Sequence, residues 1–173
     1  VLATAGLIDT GSITLKRWGL LGNLTCPMGA DGCDKVLNSA WGTVFAGIPL
    51  SLVGVLAYGA VLLMALLPLL PGLQENKGDL SRRTWWGLFT ISLAMAVFSG
   101  VLLGVMLLKI QAFCFFCVLS AGLSFALFVL AIVGGGWDDL GQLLFRGVLL
   151  ALAVLLGALI WASVVDPNRP EAV

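Results

Sequence analysis

The chain has 173 residues, of which 60% are hydrophobic and 10% are charged, and its mean hydropathy is +1.09. Soluble domains carry roughly 25% charged residues, so the composition excludes an ordinary soluble domain and indicates a protein of the lipid membrane. Nine Lys and Arg balance nine Asp and Glu, which leaves no basic surface for binding nucleic acid. The sequence has no histidine, which excludes imidazole ligands and imidazole bases. Four cysteines remain as the reactive side chains.

The apolar segments predict five membrane helices, because about 20 mostly apolar residues are needed to cross the hydrocarbon core. Residues 1–15 are few for a complete span and include Asp9, so we interpret them as the end of a first helix that starts earlier. Gly100 and Gly104 form a GxxxG pattern, which favours close packing between helices. The other four helices are predicted at residues 44–70, 85–108, 113–133 and 143–164.

The connections between these helices place the cysteines on one side of the membrane. Residues 72–84 and 134–142 are polar or glycine-rich and form the loops on the opposite side. Residues 16–39 and 109–112 lie on the cysteine side, because each crossing reverses the side. Lys and Arg are divided almost equally between the two sides, so the positive-inside rule assigns no orientation.

The four cysteines form two pairs. Cys26 and Cys33 flank a turn-rich stretch before the second predicted helix, and Cys114 and Cys117 form a CxxC motif where the fourth begins. Residues three apart on a helix share a face, and a helix N-terminus stabilises the thiolate that attacks disulfides. Two pairs facing one compartment predict a relay by thiol–disulfide exchange, from the loop pair to the helix pair and on to an acceptor in lipid.

A membrane quinone fits the role of that acceptor, and nearby aromatic residues are candidates for the walls of its pocket. These residues are also typical of core packing. The loop pair is equally compatible with an inert structural disulfide, and four thiolates are able to bind zinc. A transporter that exports reductant is a further alternative, but it needs cysteines reachable from both sides. The aromatic candidates are Trp41, Phe45, Phe113, Phe115 and Phe116.

The cysteine segments resemble the vitamin K epoxide reductase family, including its bacterial quinone-linked members that form disulfides. The similarity includes the sequence CDKVLNSAWG at residues 33–42, then Phe45, and FCFFC at residues 113–117. A serine six residues after the second loop cysteine, followed by x-W-G, is similar to the family pattern. The resemblance covers roughly residues 20–133. It implies an all-α integral membrane fold, with a four-helix transmembrane bundle around a quinone and one additional transmembrane helix.

The resemblance also implies a role for each cysteine. Cys117 reacts with the quinone, and Cys114 is its resolving partner, which receives electrons from Cys33. Cys26 faces a reduced thioredoxin-like partner, either a separate protein or a fused domain. Ser39 shapes the pocket beneath the loop, although its hydroxyl also suits the N-cap of a short helix. The quinone-pocket residues predicted in this way are Ser39, Trp41, Phe45, Phe113 and Phe116.

We therefore expect a membrane thiol oxidoreductase that makes disulfides and reduces a quinone, with no metal site. The quinone is ubiquinone, menaquinone, plastoquinone or phylloquinone. Vertebrate enzymes that act on vitamin K epoxide carry an aromatic residue four positions after the second CxxC cysteine. This chain has Ala121 there, so quinone reduction is favoured over epoxide reduction. The two protons that the quinone needs have water, Asp31, Asp34 and Lys35 as candidate sources.

The expected location follows from the chemistry. Disulfides persist outside the cytosol, so the cysteine side should face the periplasm or a lumen, with a bacterial inner membrane as the expected setting. Residues 1–166 are expected to form the transmembrane domain. Residues 167–173 are expected to be a tail, or the start of a linker to a thioredoxin-like domain.

Overall fold

The computed structural model describes residues 1–20, 30–43, 48–69, 77–137 and 139–166. Within these ranges the chain is helical, and the elements that join the α-helices are a π-helical turn at Met106–Ile110 and 3₁₀ helices at Ala40–Gly42 and Leu67–Leu69. Among the described residues, three segments are long and apolar enough to cross a membrane, namely Gly78–Ile110, Phe115–Gly134 and Leu140–Val165. The α-helices are α1 (Leu2–Arg17), α2 (Ala30–Leu37), α3 (Leu50–Leu66), α4 (Lys77–Val105), α5 (Phe115–Gly134) and α6 (Leu140–Val165).

Four of these helices surround the centre of the molecule. Helices α1 and α4 each pack against both α3 and α5, so the four helices form a ring, and α6 packs against α4. The short helix α2 contacts the π-helical turn, and the Ala40–Gly42 helix contacts α3 and α6. These two short elements therefore cover one end of the ring. The predicted all-α membrane fold, a four-helix bundle with one additional helix, is confirmed.

Helix α4 begins earlier than the apolar segment predicts. Residues 72–84 are polar and are predicted to be a loop, but the chain is helical from Lys77 onward. The Arg83 side chain forms an ion pair with Asp79 one turn earlier, at an N–O distance of 3.0 Å. Such pairs support exposed helical turns, so the helix continues beyond the residues that the hydrocarbon core requires to be apolar. The predicted start at residue 85 is wrong for this reason.

Helix α3 is shorter than the predicted helix over residues 44–70. It begins at Leu50 because Pro49, with φ −66° and ψ 136°, stands in an extended conformation immediately before it. Proline has no backbone N–H to donate and suits the start of a helix better than its interior. Residues 44–47 and residue 70 lie outside the described ranges.

Candidate active site

The CxxC motif lies where α5 begins. Cys114 precedes the first turn with an extended backbone, at φ −115° and ψ 112°, and its side chain is completely buried. Cys117 lies in the first turn and is half-buried, and both thiols are free. Gln111, in the left-handed conformation with φ 51°, ends the π-helical turn and redirects the chain toward α5. The motif thus lies at the end of the bundle that α2 and the Ala40–Gly42 helix cover, which we call the cysteine end.

The position of Cys114 makes its thiol acidic. A hydrogen bond from the Cys117 side chain, supported by the backbone N–H groups of Cys117 and Phe116, lowers the pKa of Cys114 from 9.0 to about 7. Burial and the charge of Asp9 act in the opposite direction. N–H groups at the start of a helix stabilise a negative charge. These contacts therefore favour the reactive thiolate form of Cys114 relative to an ordinary cysteine.

Removing the Cys117 thiol is expected to raise the pKa of Cys114, because the leading hydrogen bond to the thiolate is lost. In the natural protein the thiolate forms as the pH rises through about 7. In Cys117→Ala the midpoint should move up by roughly one pH unit. Thiolate absorbance against pH measures both midpoints, with a variant lacking both CxxC cysteines as the blank. An unchanged midpoint would show that the hydrogen bond does not set the acidity.

Cys33 reaches the CxxC motif from the helix that covers the end of the bundle. Its side chain is 2% exposed and forms one buried cluster with Met106 and Cys114. Met106 comes from the π-helical turn, a feature frequent at functional sites. Cys33 is disulfide-bonded, whereas Cys26 lies outside the described residues. The structure therefore brings one cysteine of the loop pair to Cys114.

An apolar cavity of about 440 Å³ is lined by residues of all four helices of the ring. Small-molecule and cofactor sites commonly measure about 300–1,000 Å³. Cys117 is part of the cavity wall, whereas Cys114 is not and instead belongs to the cluster with Cys33. Cys117 also packs against this cluster, so it contacts both the cluster and the cavity, whereas Cys114 does not reach the cavity wall.

Several residues predicted for a quinone pocket line this cavity, namely Ser39, Trp41 and Phe116. The structure does not bring Phe113 to the cavity, and its side chain is 48% exposed. Phe45 lies outside the described residues. The Trp41 indole N–H donates a hydrogen bond to the Ala162 carbonyl of α6 at 3.3 Å, which holds this ring at the cavity.

The Ser39 hydroxyl does not cap the short helix that follows it. It donates to the Val36 carbonyl at 2.6 Å, and no side-chain bond caps the Ala40–Gly42 helix. Carbonyls at the end of a helix lack partners within the helix, so the hydroxyl satisfies the end of α2. The first bond of the next helix is made by the backbone, from the Gly42 N–H to the Ser39 carbonyl at 2.9 Å. Ser39 thus occupies the N-cap position, as expected for a short helix, but the expected cap by its hydroxyl is not formed.

Tyr58 is a cavity residue that the sequence reasoning missed. It is 1% exposed, and its hydroxyl donates to the Ser120 carbonyl at 2.8 Å and lies 3.0 Å from Ser124 Oγ. Its ring packs against Gly6, so one side chain joins α3 to both α1 and α5. The available signal was a single tyrosine within an apolar segment, since a buried tyrosine hydroxyl needs a partner.

Arg17 connects α1 to the two short helices that cover the cavity. Its guanidinium donates to the Leu37 carbonyl at 2.7 Å and to the Gly42 carbonyl at 3.4 Å. These carbonyls belong to the two short helices that cover the end of the ring. Arg17 also lines the cavity. Its hydrogen bonds therefore hold the two short helices in position over the cavity.

Of the predicted proton carriers, the structure describes only the Lys35 side chain. Lys35 is exposed, and the side chains of Asp31 and Asp34 lie outside the described part of the chain. The sequence reasoning missed Asp9, which is only 7% exposed and lies in α1. An acidic residue within an apolar segment was the signal that could have identified it.

A buried CxxC pair, set between a loop cysteine and an apolar cavity in a membrane helix bundle, is the arrangement expected of a membrane thiol redox protein. Residues 1–132 match the vitamin K epoxide reductase family, and the chain belongs to this family. It is 32% identical over 165 residues to the thiol-disulfide oxidoreductase LTO1 of Arabidopsis thaliana. The similarity covers 91% of this chain but only 40% of LTO1. This relative is a plant protein, so the bacterial setting stays a prediction.

Proposed function

We propose that the chain is a membrane thiol oxidoreductase that generates disulfides and passes the electrons to a quinone. The observation that carries this proposal is that the CxxC pair connects the loop cysteine to the apolar cavity, since Cys117 packs against the cluster of Cys33 and Cys114 and also lines the cavity. Cys114 lies in the buried cluster with Cys33, and Cys117 lines the apolar cavity. Membership of the vitamin K epoxide reductase family and the similarity to a thiol-disulfide oxidoreductase support the same chemistry.

Electrons enter at the loop pair. A reduced thioredoxin-like partner, separate or fused, reduces the disulfide of Cys33, whose other member we propose is Cys26. The freed Cys33 thiolate attacks Cys114 in the oxidised CxxC pair, so a Cys33–Cys114 bond forms and the Cys114–Cys117 bond breaks. Attack by Cys26 on Cys33 then releases Cys114. This leaves the loop pair oxidised and the CxxC thiols free, the redox state of Cys33, Cys114 and Cys117 in the structure.

The acidity of Cys114 favours this exchange. Thiol–disulfide exchange is faster when the departing thiol has a low pKa. The pKa of Cys114 is lowered to about 7 by the hydrogen bond from Cys117, so Cys114 departs readily when Cys26 attacks the mixed disulfide. The same thiolate is suited to close the Cys114–Cys117 disulfide once Cys117 has reacted at the cavity.

The cavity has the properties that a quinone needs. Its wall includes the aromatic rings of Trp41 and Phe116, the Ser39 side chain and the Cys117 thiol. The aromatic rings are suited to stack on a planar ring and to keep water out, and Cys117 is the redox group at this surface. A bound quinone supplies the capacity to accept two electrons and two protons. Ubiquinone, menaquinone, plastoquinone and phylloquinone share this capacity.

We propose that the cysteine end faces a bacterial periplasm or the lumen of an organelle, where disulfides persist. We also propose that residues 1–166 form one transmembrane domain, followed by a tail or linker from residue 167. The Lys109–Asp166 ion pair, at 3.1 Å, and the Trp41–Ala162 hydrogen bond tie the last part of α6 to the cysteine end. Helix α6 therefore belongs with the bundle.

An inert loop disulfide and a zinc site of four thiolates are the competing interpretations. Zinc requires deprotonated thiolates as ligands, whereas Cys33 is disulfide-bonded in this structure. A purely structural loop disulfide does not need to be buried beside a free thiol. The shared cluster of Cys33 and Cys114 therefore favours exchange between the pairs.

The relay is tested by trapping its intermediate. In a variant carrying Cys26→Ala and Cys117→Ala, the remaining Cys33 and Cys114 complete only the first step, so mild oxidation should give a stable disulfide between them. Peptide mass spectrometry measures its yield. In the matched variant carrying Cys26→Ala and Cys114→Ala, Cys33 should bond to Cys117 less, because Cys33 and Cys114 are both buried members of one cluster, whereas Cys117 only packs against that cluster and also lines the cavity. Equal yields in the two variants, or no bond in the first, would contradict the relay.

A further inference from the structure

Asp9 is buried in α1 without a partner for its charge. It is 7% exposed, and neither carboxylate oxygen has a hydrogen-bond partner among the described residues. It is also the one acidic or basic residue that is buried in the described part of the chain. Burying an unpaired carboxylate costs free energy, and ionisable groups inside membrane bundles mark proton or ion pathways. A function that needs this group explains why it is retained.

The helix that carries this carboxyl lies next to the CxxC helix and the cavity. Helix α1 packs against α5, the helix that begins with the CxxC motif, and Thr10, the neighbour of Asp9, lines the same cavity as Cys117. The charge of Asp9 also acts to raise the pKa of Cys114. On the side of α3, the Tyr58 ring packs against Gly6, one turn before Asp9 on the same face of α1. Asp9 therefore lies one residue from the cavity wall and one turn from the Tyr58 contact, on a helix that packs against the CxxC helix.

No cation on α1 lies near enough to neutralise Asp9 permanently. Lys16 and Arg17, the basic residues of this helix, lie about two turns further along. The Arg17 guanidinium donates to the carbonyls of Leu37 and Gly42. Helices α3 and α5, which pack against α1, contain no charged residue, so the charge of Asp9 depends on whether its carboxyl holds a proton.

We propose that Asp9 exchanges protons with the Cys114–Cys117 pair and is the acid–base residue of its oxidation. This assignment rests on the proposed function. As the pair is oxidised, one S–S bond forms and two electrons pass to the quinone. Cys114 has already released its proton to water as a thiolate. The proton of Cys117 passes to the Asp9 carboxylate and from there to the reduced quinone, whose second proton comes from water.

Asp9→Asn tests the assignment, because it keeps the shape of the side chain and removes proton exchange. In a single turnover of pre-reduced protein, quinone reduction should fall by roughly a hundredfold. In the absence of quinone, thiolate absorbance should show that the Cys114 thiolate forms more easily in Asp9→Asn, although the reaction with quinone is slower. Removal of a neighbouring negative charge lowers the pKa of Cys114, so its thiolate should form at lower pH than in the natural protein.

Two controls separate proton exchange from packing. Asp9→Glu keeps a carboxyl and should recover part of the rate that Asp9→Asn loses. The thermal unfolding of Asp9→Asn should occur at the same or a higher temperature, because an unpartnered buried charge has been removed. A damaged fold would instead lower the unfolding temperature and slow the reaction without making the Cys114 thiolate easier to form.

The outcomes distinguish this assignment from the proposed function. Equal rates for the natural protein and Asp9→Asn would overturn the role of Asp9 and leave the proposed function standing. A slow Asp9→Asn with an unshifted Cys114 titration would also overturn it, in favour of a packing role. If the natural protein reduces no quinone, the proposed function fails, and the assignment fails with it.

Discussion

A Cys33→Ala variant is expected to lose quinone reduction by about a thousandfold or more when a reduced thioredoxin-like protein is the electron donor. Cys33 is the loop cysteine in the buried cluster with Cys114, which is itself completely shielded from solvent. A protein donor is too large to reach Cys114 directly, so electrons from it must pass through Cys33. The rate of quinone reduction with purified donor and acceptor measures this loss.

A small permeant dithiol provides the control for this loss. It needs no protein contact surface, and the missing Cys33 side chain leaves space beside Cys114, so a large part of the rate with this donor should remain. Cys26→Ala should show the same contrast between the two donors. An unchanged rate with the protein donor in either variant would contradict the assigned order of the cysteines.

Gly6→Ala is expected to destabilise the bundle by roughly 1–3 kcal/mol, because it overpacks a filled contact between α1 and α3. A Cβ at this position would overlap the ring of Tyr58. The ring cannot withdraw without cost, since its hydroxyl is bonded to the Ser120 carbonyl and lies beside Ser124 Oγ. The midpoint of unfolding in detergent measures the loss of stability.

Gly11→Ala is the matched control in the same helix. A Cβ at Gly11 meets no described residue within 4 Å, and alanine favours helix over glycine by about 1 kcal/mol. This variant should therefore unfold at the same or a higher denaturant concentration. If Gly6→Ala is as stable as Gly11→Ala, the Tyr58 contact does not hold α1 against α3.

The positions of the helices followed from the sequence because the hydrocarbon core requires long apolar segments. Helix α5 at Phe115–Gly134 lies within two residues of its predicted bounds, 113–133. The start of α4 did not follow, because the Asp79–Arg83 ion pair belongs to a polar helical extension that hydropathy does not detect. The required length of apolar chain thus predicts the buried part of a helix better than its exposed end.

Contacts between helices were harder to predict. The GxxxG pattern at Gly100 and Gly104 predicted close packing, but a Cβ at either position meets no described residue within 4 Å, so this packing is not found within the described part of the chain. Gly6 lies in no such motif and forms a tight contact with Tyr58. Which glycine is in contact depends on how each helix is rotated about its axis, and short motifs do not determine that rotation.

The unknown rotation of each helix about its axis also limits what the sequence predicts about the candidate site. Spacing and helix count predicted that both cysteine pairs lie on one side, and the structure places Cys33 and Cys114 in one cluster. Only the fold shows that Cys117 lines a cavity and that Asp9 is buried on a helix that packs against the CxxC helix. These two features depend on the orientations of α5 and α1, which local sequence does not contain.

The most direct test of the central claim is quinone reduction by the purified protein with a dithiol donor, comparing the natural sequence with Cys117→Ala. The natural protein should reduce quinone, and the variant should not at any donor concentration, because Cys117 is the thiol at the cavity. Leu144→Ala, at a position that is 67% exposed on α6, should retain activity and serves as a control for expression and purification of a variant. Equal rates in the natural protein and Cys117→Ala, or no reduction of several quinones by the natural protein, would contradict the proposed relay.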